Sequence, residues 1–447
     1  PLFSLPSRYG IGDMGSEARA FITKLFQGGQ RLWQILPLNP VLEANACSPY
    51  ACSSAFAGDP MYIDLEALRD EGLLEAFDLL SIEVMATRKV HYGTVRANKA
   101  ALLDKSWVAF QQRDDVAAKA AFERFCVAEA HWLEDYAAYV VLKQMHADQS
   151  WTEWPEELRH RESAALAAFK VQERTALDQQ RWLQFVFFQQ WDKLKTFAGA
   201  NNISFVGDIP FYMSQDSADV WAKPELFAMN EDSSLQWVAG VPPDYFSATG
   251  QLWGMPTYRW AVHQQQGYSW WIERLQQNVR LFDIVRLDHF RAFYDYWEIP
   301  GDAETAIDGT WQDGPRDDLF SEIKKHFPNM PFIAEDLGEI HKGVFAFKDT
   351  WKLPGMRVLQ FGFSTYDPSL RDLPHNCTAS SVVYTGTHDN DTTAGWFAAL
   401  DDAARNALQA YAGTVINEDN VADIMIKMAY GTVADTLIIP IQDLLNL

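Results

Sequence analysis

Hydrophobic and polar positions along the 447-residue chain follow two periods. From Ser16 to Gln27, apolar Phe21, Ile22, Leu25 and Phe26 recur at helical spacing behind Ser16 as N-cap. The pattern stops at Gly28-Gly29, so it predicts a helix. Arg31 to Leu38 (RLWQILPL) is next, a continuous apolar run of strand length. From Lys99 to Ala198 the chain is rich in Ala, Gln and Glu and has no glycine. Trp132, Tyr136 and Tyr139 form one apolar stripe there, and Leu183, Phe187, Trp191 and Leu194 form another. This stretch predicts a helical insertion.

Beyond it, short apolar runs recur and each ends in polar residues. They are Ile203–Tyr212 (ISFVGDIPFY), Phe282–Phe290 (FDIVRLDHF), Pro331–Gly338 (PFIAEDLG), Met356–Phe363 (MRVLQFGF), Ser381–Asp391 (SVVYTGTHDND) and Leu437–Leu444 (LIIPIQDL). Most are separated by room for at least one helix. Strands buried on both faces and alternating with helices point to a parallel α/β architecture. With RLWQILPL there are seven, and LFSLP at the start reads as the stub of an eighth. Eight such units close into a barrel whose site lies at the strands' C-terminal ends. A doubly wound open sheet is the alternative, because strand order is not readable from one sequence.

The carboxylates sharpen that picture. Asp208, Asp288, Glu335 and Asp389 each follow an apolar run by one or two positions. A buried carboxylate costs several kcal/mol unless it is paired or hydrogen-bonded. Any single one is more simply a helix cap or an ion-pair partner. Four at strand ends converge on one pocket in a barrel and favour a site. Two carboxylates about 5 to 5.5 Å apart suit retaining glycoside chemistry, in which one attacks the anomeric carbon and the other protonates the leaving oxygen. Arg286 lies two residues before Asp288, so both side chains face the same way on a strand. Its guanidinium is placed to hold Asp288 ionised. Asp336 beside Glu335 is expected to help keep that acid protonated. His388 with Asp389 and Asp391 lacks further placed ligands, which favours a hydrogen bond to a sugar hydroxyl over a metal.

Composition removes several classes. With 37 Lys and Arg against 60 Asp and Glu, the formal charge is −23. A nucleic-acid binder needs a basic stripe, and an anionic membrane surface also selects for positive charge. No apolar run reaches the ~18 residues of a membrane span. The start of the chain lacks a signal-peptide pattern, and four cysteines are too few for a secreted disulfide scaffold. A cytoplasmic protein is expected. The Gly10-Ile11-Gly12-Asp13-Met14-Gly15 segment satisfies G-x-G-x-x-G, but no strong strand precedes it. No carboxylate stands about 20 residues on, so it reads as a turn that caps a helix. The 17 Trp, 16 Tyr and 28 Phe fill cores or stack on sugar rings, and composition alone favours the core.

The segments SLPSRYGIGDMG, GGQRLWQILPLNP, CSPYACSSAFAGDPMYIDL, VGDIPFY, GVPPDYFSATGQLWGMPTYRW, VRLDHFR, AEDLG and GTHDNDT resemble the signature segments of the 4-α-glucanotransferase (amylomaltase) family, glycoside hydrolase family 77 of the α-amylase clan. They occur in the family's order across nearly the whole chain, although Met255 stands where the family's loop usually has Asn. The resemblance implies a (β/α)8 TIM barrel over residues 1–58 and 200–447. A mainly helical insertion subdomain covers 59–199, after the second strand, and a loop insertion over the active site covers 213–280. Measured against the family, the barrel is expected to be truncated at both ends. The implied activity is retaining transfer of α-1,4-glucan segments, with no metal and no organic cofactor. Donor and acceptor are a maltooligosaccharide or α-1,4-glucan and a glucose or oligosaccharide; no nucleic acid and no membrane takes part.

By position, the resemblance makes Asp288 the nucleophile, Glu335 the acid/base and Asp389 the third carboxylate. Arg286 and His388 support them, Asp208 and Tyr50 line the pocket, and Tyr245, Phe246 and Trp253 belong to a loop over the glucan groove. The rivals are an α-glucan hydrolase with the same carboxylates and an inactive glucan-binding protein.

Overall fold

The computed structural model describes residues 1–80, 89–243, 247–338, 340–363 and 367–447. The chain forms two compact units. One comprises Pro1–Val285 with Asp295–Pro328, and the other Arg286–Tyr294 with Asn329–Leu447.

In the first unit, strand β1 (Leu32–Gln34) pairs in parallel with β2 (Ser204–Ile209), Trp33 opposite Phe205. The reason is packing: the Trp33 ring lies 4.8 Å from Phe21 and 5.3 Å from Phe205. Phe21 belongs to the helix Ser16–Gln27, which has the bounds that the apolar spacing predicts. Its cap differs. Gly15, not Ser16, is the N-cap, and its N–H is taken by Asp13 Oδ1 at 3.0 Å. A Cβ on Gly15 would meet the carboxylates of Asp13 and Asp64 at 2.9 Å, so glycine is the residue that fits. The Gly10–Gly15 segment is accordingly a tight turn entering this helix. LFSLP is not a strand stub: Leu2–Ser4 is one turn of 3-10 helix.

The glycine-free stretch is helical, with Tyr92–Gln112, Val116–Ala128, Ala130–Met145, Ser163–Gln172 and Arg174–Ala200 as its longer members. Both apolar stripes are buried, with Trp132, Tyr136, Tyr139 and Leu183 nearly so and Phe187, Trp191 and Leu194 completely. The Trp191 ring sits 4.8 Å from Phe205 and 5.9 Å from Phe282, and its indole N–H donates to Leu281 O at 2.9 Å. Two buried glutamines on the same helix fasten loops through backbone groups. Gln184 bonds both N and O of Gly58 at 2.9 Å, and Gln190 bonds N and O of Asp64.

Four further strands of this unit do not stand out as apolar runs: β3 (Trp237–Val241), β4 (Gln251–Pro256), β6 (Asp295–Pro300) and β7 (Thr310–Asp313). They form an antiparallel sheet in the order β4-β3-β6-β7 over a small core of Val238, Ile299 and Ala306. The intervening β5 (Ile284–Leu287) begins in the first unit and ends in the second.

The second unit continues with β8 (Phe332–Ala334), β9 (Met356–Val358), β10 (Val382–Tyr384) and β11 (Thr436–Ile438). β9, β10 and β11 pair in parallel with β10 central, and Ala334 bridges Gly355 in parallel. Leu359, Val383, Leu408, Val421 and Met425 form the core beneath the helices Thr393–Ala399, Asp402–Ala412 and Val421–Tyr430. Each of the seven apolar runs thus carries a short parallel-type strand, although two turn helical before they end, at Leu359–Gly362 and Ile441–Leu444. The paired strands of each unit form open sheets among the described residues. The four cysteines are free thiols.

Candidate active site

The chemistry-bearing residues cluster where β5 and β8 end. Arg286 on β5 and Asp288, the residue just past its end, keep the i,i+2 spacing that places both side chains on one side. The guanidinium is 2% exposed and its Nη1 donates to Asp288 Oδ1 at 2.9 Å. Arg286 Nε also points at Met356 Sδ, 3.4 Å away on β9. With one side fixed by a carboxylate and the other by a thioether, the guanidinium has little rotational freedom left. Asp288 itself keeps about a quarter of its side chain exposed (25%).

Immediately after Asp288 the chain turns. His289 adopts left-handed backbone angles (φ 47, ψ 46), a conformation that costs a non-glycine residue about 1–2 kcal/mol. The turn aims the His289 N–H at Glu335 Oε2, 2.8 Å away. Leu337 N–H binds the other oxygen, Oε1, at 3.0 Å, and Glu335 N–H donates back to Leu287 O at 3.1 Å. The Glu335 carboxyl therefore lies against the peptide that follows Asp288. Burial raises the Glu335 pKa from its ordinary value, opposed by the Arg286 charge and by these two backbone donors. Asp336 pushes the same way as burial, as its adjacency in sequence suggests, but is the smallest of these causes.

The weak effect of Asp336 has a visible cause. Its carboxylate is fully buried and ringed by cations: Arg371 at 2.9 Å, Lys348 at 3.2 Å and Arg357 at 3.8 Å. Met356 N–H binds Oδ1 at 2.8 Å. Oδ2 receives no well-angled hydrogen bond, so the cations hold it by charge. Asp336 anchors the end of β8 and thereby the backbone of Glu335.

Asp389 stands on the loop after β10. Its side chain is 70% exposed and lies 3.3 Å from His388 Nε2. In the first unit, Asp208 lies within β2, rather than past its end, and is 1% exposed; Tyr50 donates its hydroxyl to Asp208 Oδ2 at 2.7 Å. Trp253 is on β4, half-buried, 6.1 Å from the Tyr212 ring. Tyr245 and Phe246 lie outside the described residues. Sequence reasoning missed the backbone donors of His289 and Leu337, the thioether of Met356 and the cations around Asp336. Only the Asp336 cluster had a side-chain signal, a carboxylate with no cation near it in sequence.

An α/β protein with an arginine-held carboxylate beside a buried, backbone-held carboxyl is equipped as an acid/base and nucleophilic enzyme. The comparisons with known proteins specify which one. The family model for 4-alpha-glucanotransferase matches residues 1–447. A 4-alpha-glucanotransferase of Aquifex aeolicus (strain VF5) is 43% identical over 444 residues, covering 99% of this chain and 89% of its own. One of Thermus thermophilus is 42% identical over 452 residues, with the same coverage of 99% and 89%. The structure of an amylomaltase from Streptococcus agalactiae in complex with acarbose superposes with a TM-score of 0.95 at 36% identity, covering 100% of this chain and 89% of that one. The chain belongs to the 4-alpha-glucanotransferase family, transglycosylating enzymes that act on α-1,4-glucans.

Proposed function

We propose that this protein transfers α-1,4-glucan segments between maltooligosaccharides by double displacement, with Asp288 as nucleophile, Glu335 as acid/base and Asp389 as third carboxylate. The observation that supports it most is the pair of unlike environments around two neighbouring carboxyl groups. Arg286 pairs with Asp288 and presents it as a carboxylate. Burial biases Glu335 toward its protonated form.

In the first step an Asp288 oxygen attacks the anomeric carbon as the glycosidic C–O bond breaks. The Glu335 proton goes to the departing oxygen, which leaves as the 4-hydroxyl of the released sugar. In the second step the 4-hydroxyl of an acceptor gives its proton to Glu335 and displaces Asp288 from the anomeric carbon. Asp389 binds sugar hydroxyls while the ring flattens toward an oxocarbenium ion. Residues Arg286, His388, Asp208, Tyr50, Tyr245, Phe246 and Trp253 hold the glucan by hydrogen bonds and ring stacking. No metal or organic cofactor is needed for these steps.

The same reading carries a (β/α)8 barrel over residues 1–58 and 200–447, with 59–199 as helical insertion and 213–280 as loop insertion. The strand in each of the seven apolar runs and the 0.95 TM-score to the S. agalactiae amylomaltase support it.

Incubation with maltotriose tests the activity. Transfer spreads the chain lengths while the number of reducing ends stays constant. A rise in reducing ends that matches glucose release overturns transfer in favour of hydrolysis, and binding without turnover in a folded sample overturns both.

A further inference from the structure

The exposed Asp389 takes its aim from the loop that carries it, and that loop is tied down by a residue given no role so far. Asp443, in the short helix Ile441–Leu444, is 4% exposed. One of its oxygens accepts the hydroxyl of Thr385, and the hydroxyl of Thr393 at 2.8 Å. The other accepts the Thr393 N–H at 2.9 Å. Thr385 is the residue that follows β10, and Thr393 opens the helix Thr393–Ala399. Residues 386–392 between them include His388 and Asp389, so one carboxylate closes the loop at both ends.

A second buried side chain reinforces the closure. Gln360, 2% exposed, donates to Asp391 O at 3.2 Å and to Thr393 Oγ1 at 3.4 Å. Inside the loop, Asn390 Oδ1 accepts both the N–H and the hydroxyl of Thr387 at 2.9 Å, and Asp389 N–H donates to Thr387 Oγ1 at 3.2 Å. Asp443 and Gln360 therefore fasten the two ends of the loop, and a separate set of bonds between Thr387, Asn390 and Asp389 holds its middle. Plain stability does not call for a buried charge at this place, because apolar residues of similar volume often serve as well. Three donors on one carboxylate do supply a single loop geometry, which an exposed catalytic side chain otherwise lacks.

We propose that Asp443 is a positioning residue for the transfer step, acting through Thr385 and Thr393 to hold Asp389 in its working orientation. This rests on the reading of Asp389 as the third carboxylate. The test compares Asp443→Asn, Asp389→Asn and the double variant in maltotriose disproportionation, with thermal unfolding alongside. Asparagine keeps the shape of Asp443 but loses one acceptor oxygen and the charge. Misplacement of a reacting group by about 1 Å costs up to about a hundredfold, so kcat of Asp443→Asn should fall about tenfold or more, with KM changed by less than about threefold. The double variant should be no slower than Asp389→Asn alone.

An unchanged kcat with only a lower melting temperature overturns the proposal, and so do losses that multiply in the double variant. Full turnover in Asp389→Asn overturns the reading of Asp389, and the proposal with it. Should Asp443→Asn fail to fold, Thr385→Val, which removes a single donor at nearly constant shape, is judged by the same kcat, KM and double-variant criteria.

Discussion

Replacing Asp336 by asparagine isolates the charge at the end of β8. Asparagine can still accept the Met356 N–H through Oδ1, so the shape and one hydrogen bond survive while the charge is lost. Lys348 and Arg357, with side chains 8% and 12% exposed, cannot turn to water when their anion is removed. Arg371, at 30%, can rehydrate and contributes less. Breaking a buried ion pair from one side costs about 3–5 kcal/mol. Asp349, 3.4 Å from Lys348, and Asp372, which attracts Arg357 and Arg371, recover part of that. The expected loss is therefore about 3 kcal/mol, a large share of the ~5–15 kcal/mol that holds a folded protein. Denaturant unfolding at constant m-value measures it. Adding Lys348→Met should restore part of the loss, since it removes the uncompensated cation. A loss below about 1 kcal/mol, with no recovery in the double variant, refutes the argument that Asp336 holds these cations by charge.

Other expectations follow from the same contacts. Asp288→Ala should abolish turnover but retain binding of maltooligosaccharide in calorimetry; residual turnover near the parent level removes Asp288 as nucleophile. Glu335 must be protonated for the first step, so kcat/KM falls as pH rises through its folded pKa, which burial raises and Arg286 lowers. Arg286→Met takes away the lowering charge, so this alkaline limb should move to higher pH; a limb that stays or moves down contradicts the assignment. Tyr50→Phe leaves the buried Asp208 one donor short and should cost about 1–2 kcal/mol in denaturant unfolding, with no measurable loss if that hydrogen bond contributes nothing. Gly58→Ala would place a Cβ 2.1 Å from the Phe187 ring and should lower stability by about 1–3 kcal/mol; a neutral result shows that the ring can move aside.

The sequence by itself determined what periodicity and adjacency encode. A mostly apolar run of strand length signals a strand in the interior, and each of the seven runs contains one, although β1 and β11 are only partly buried. Helical stripes such as Leu183, Phe187, Trp191 and Leu194 must be buried together, and they are. Two side chains at i and i+2 on a strand share a face, which is why Arg286 meets Asp288. Tertiary structure decided the rest. β3, β4 and β6 carry glycine or proline and β7 is polar and mostly exposed, so neither period marks them; antiparallel neighbours make them strands. LFSLP has the apolar content of a strand but forms one turn of 3-10 helix. The state of Glu335 depends on burial and on N–H groups of His289 and Leu337, and a backbone donor leaves no trace in residue type. The cations around Asp336 come from positions 348, 357 and 371, and Asp443 closes a loop that begins at Thr385. Such partners are chosen by what the fold places opposite, and no local rule of spacing reaches that far.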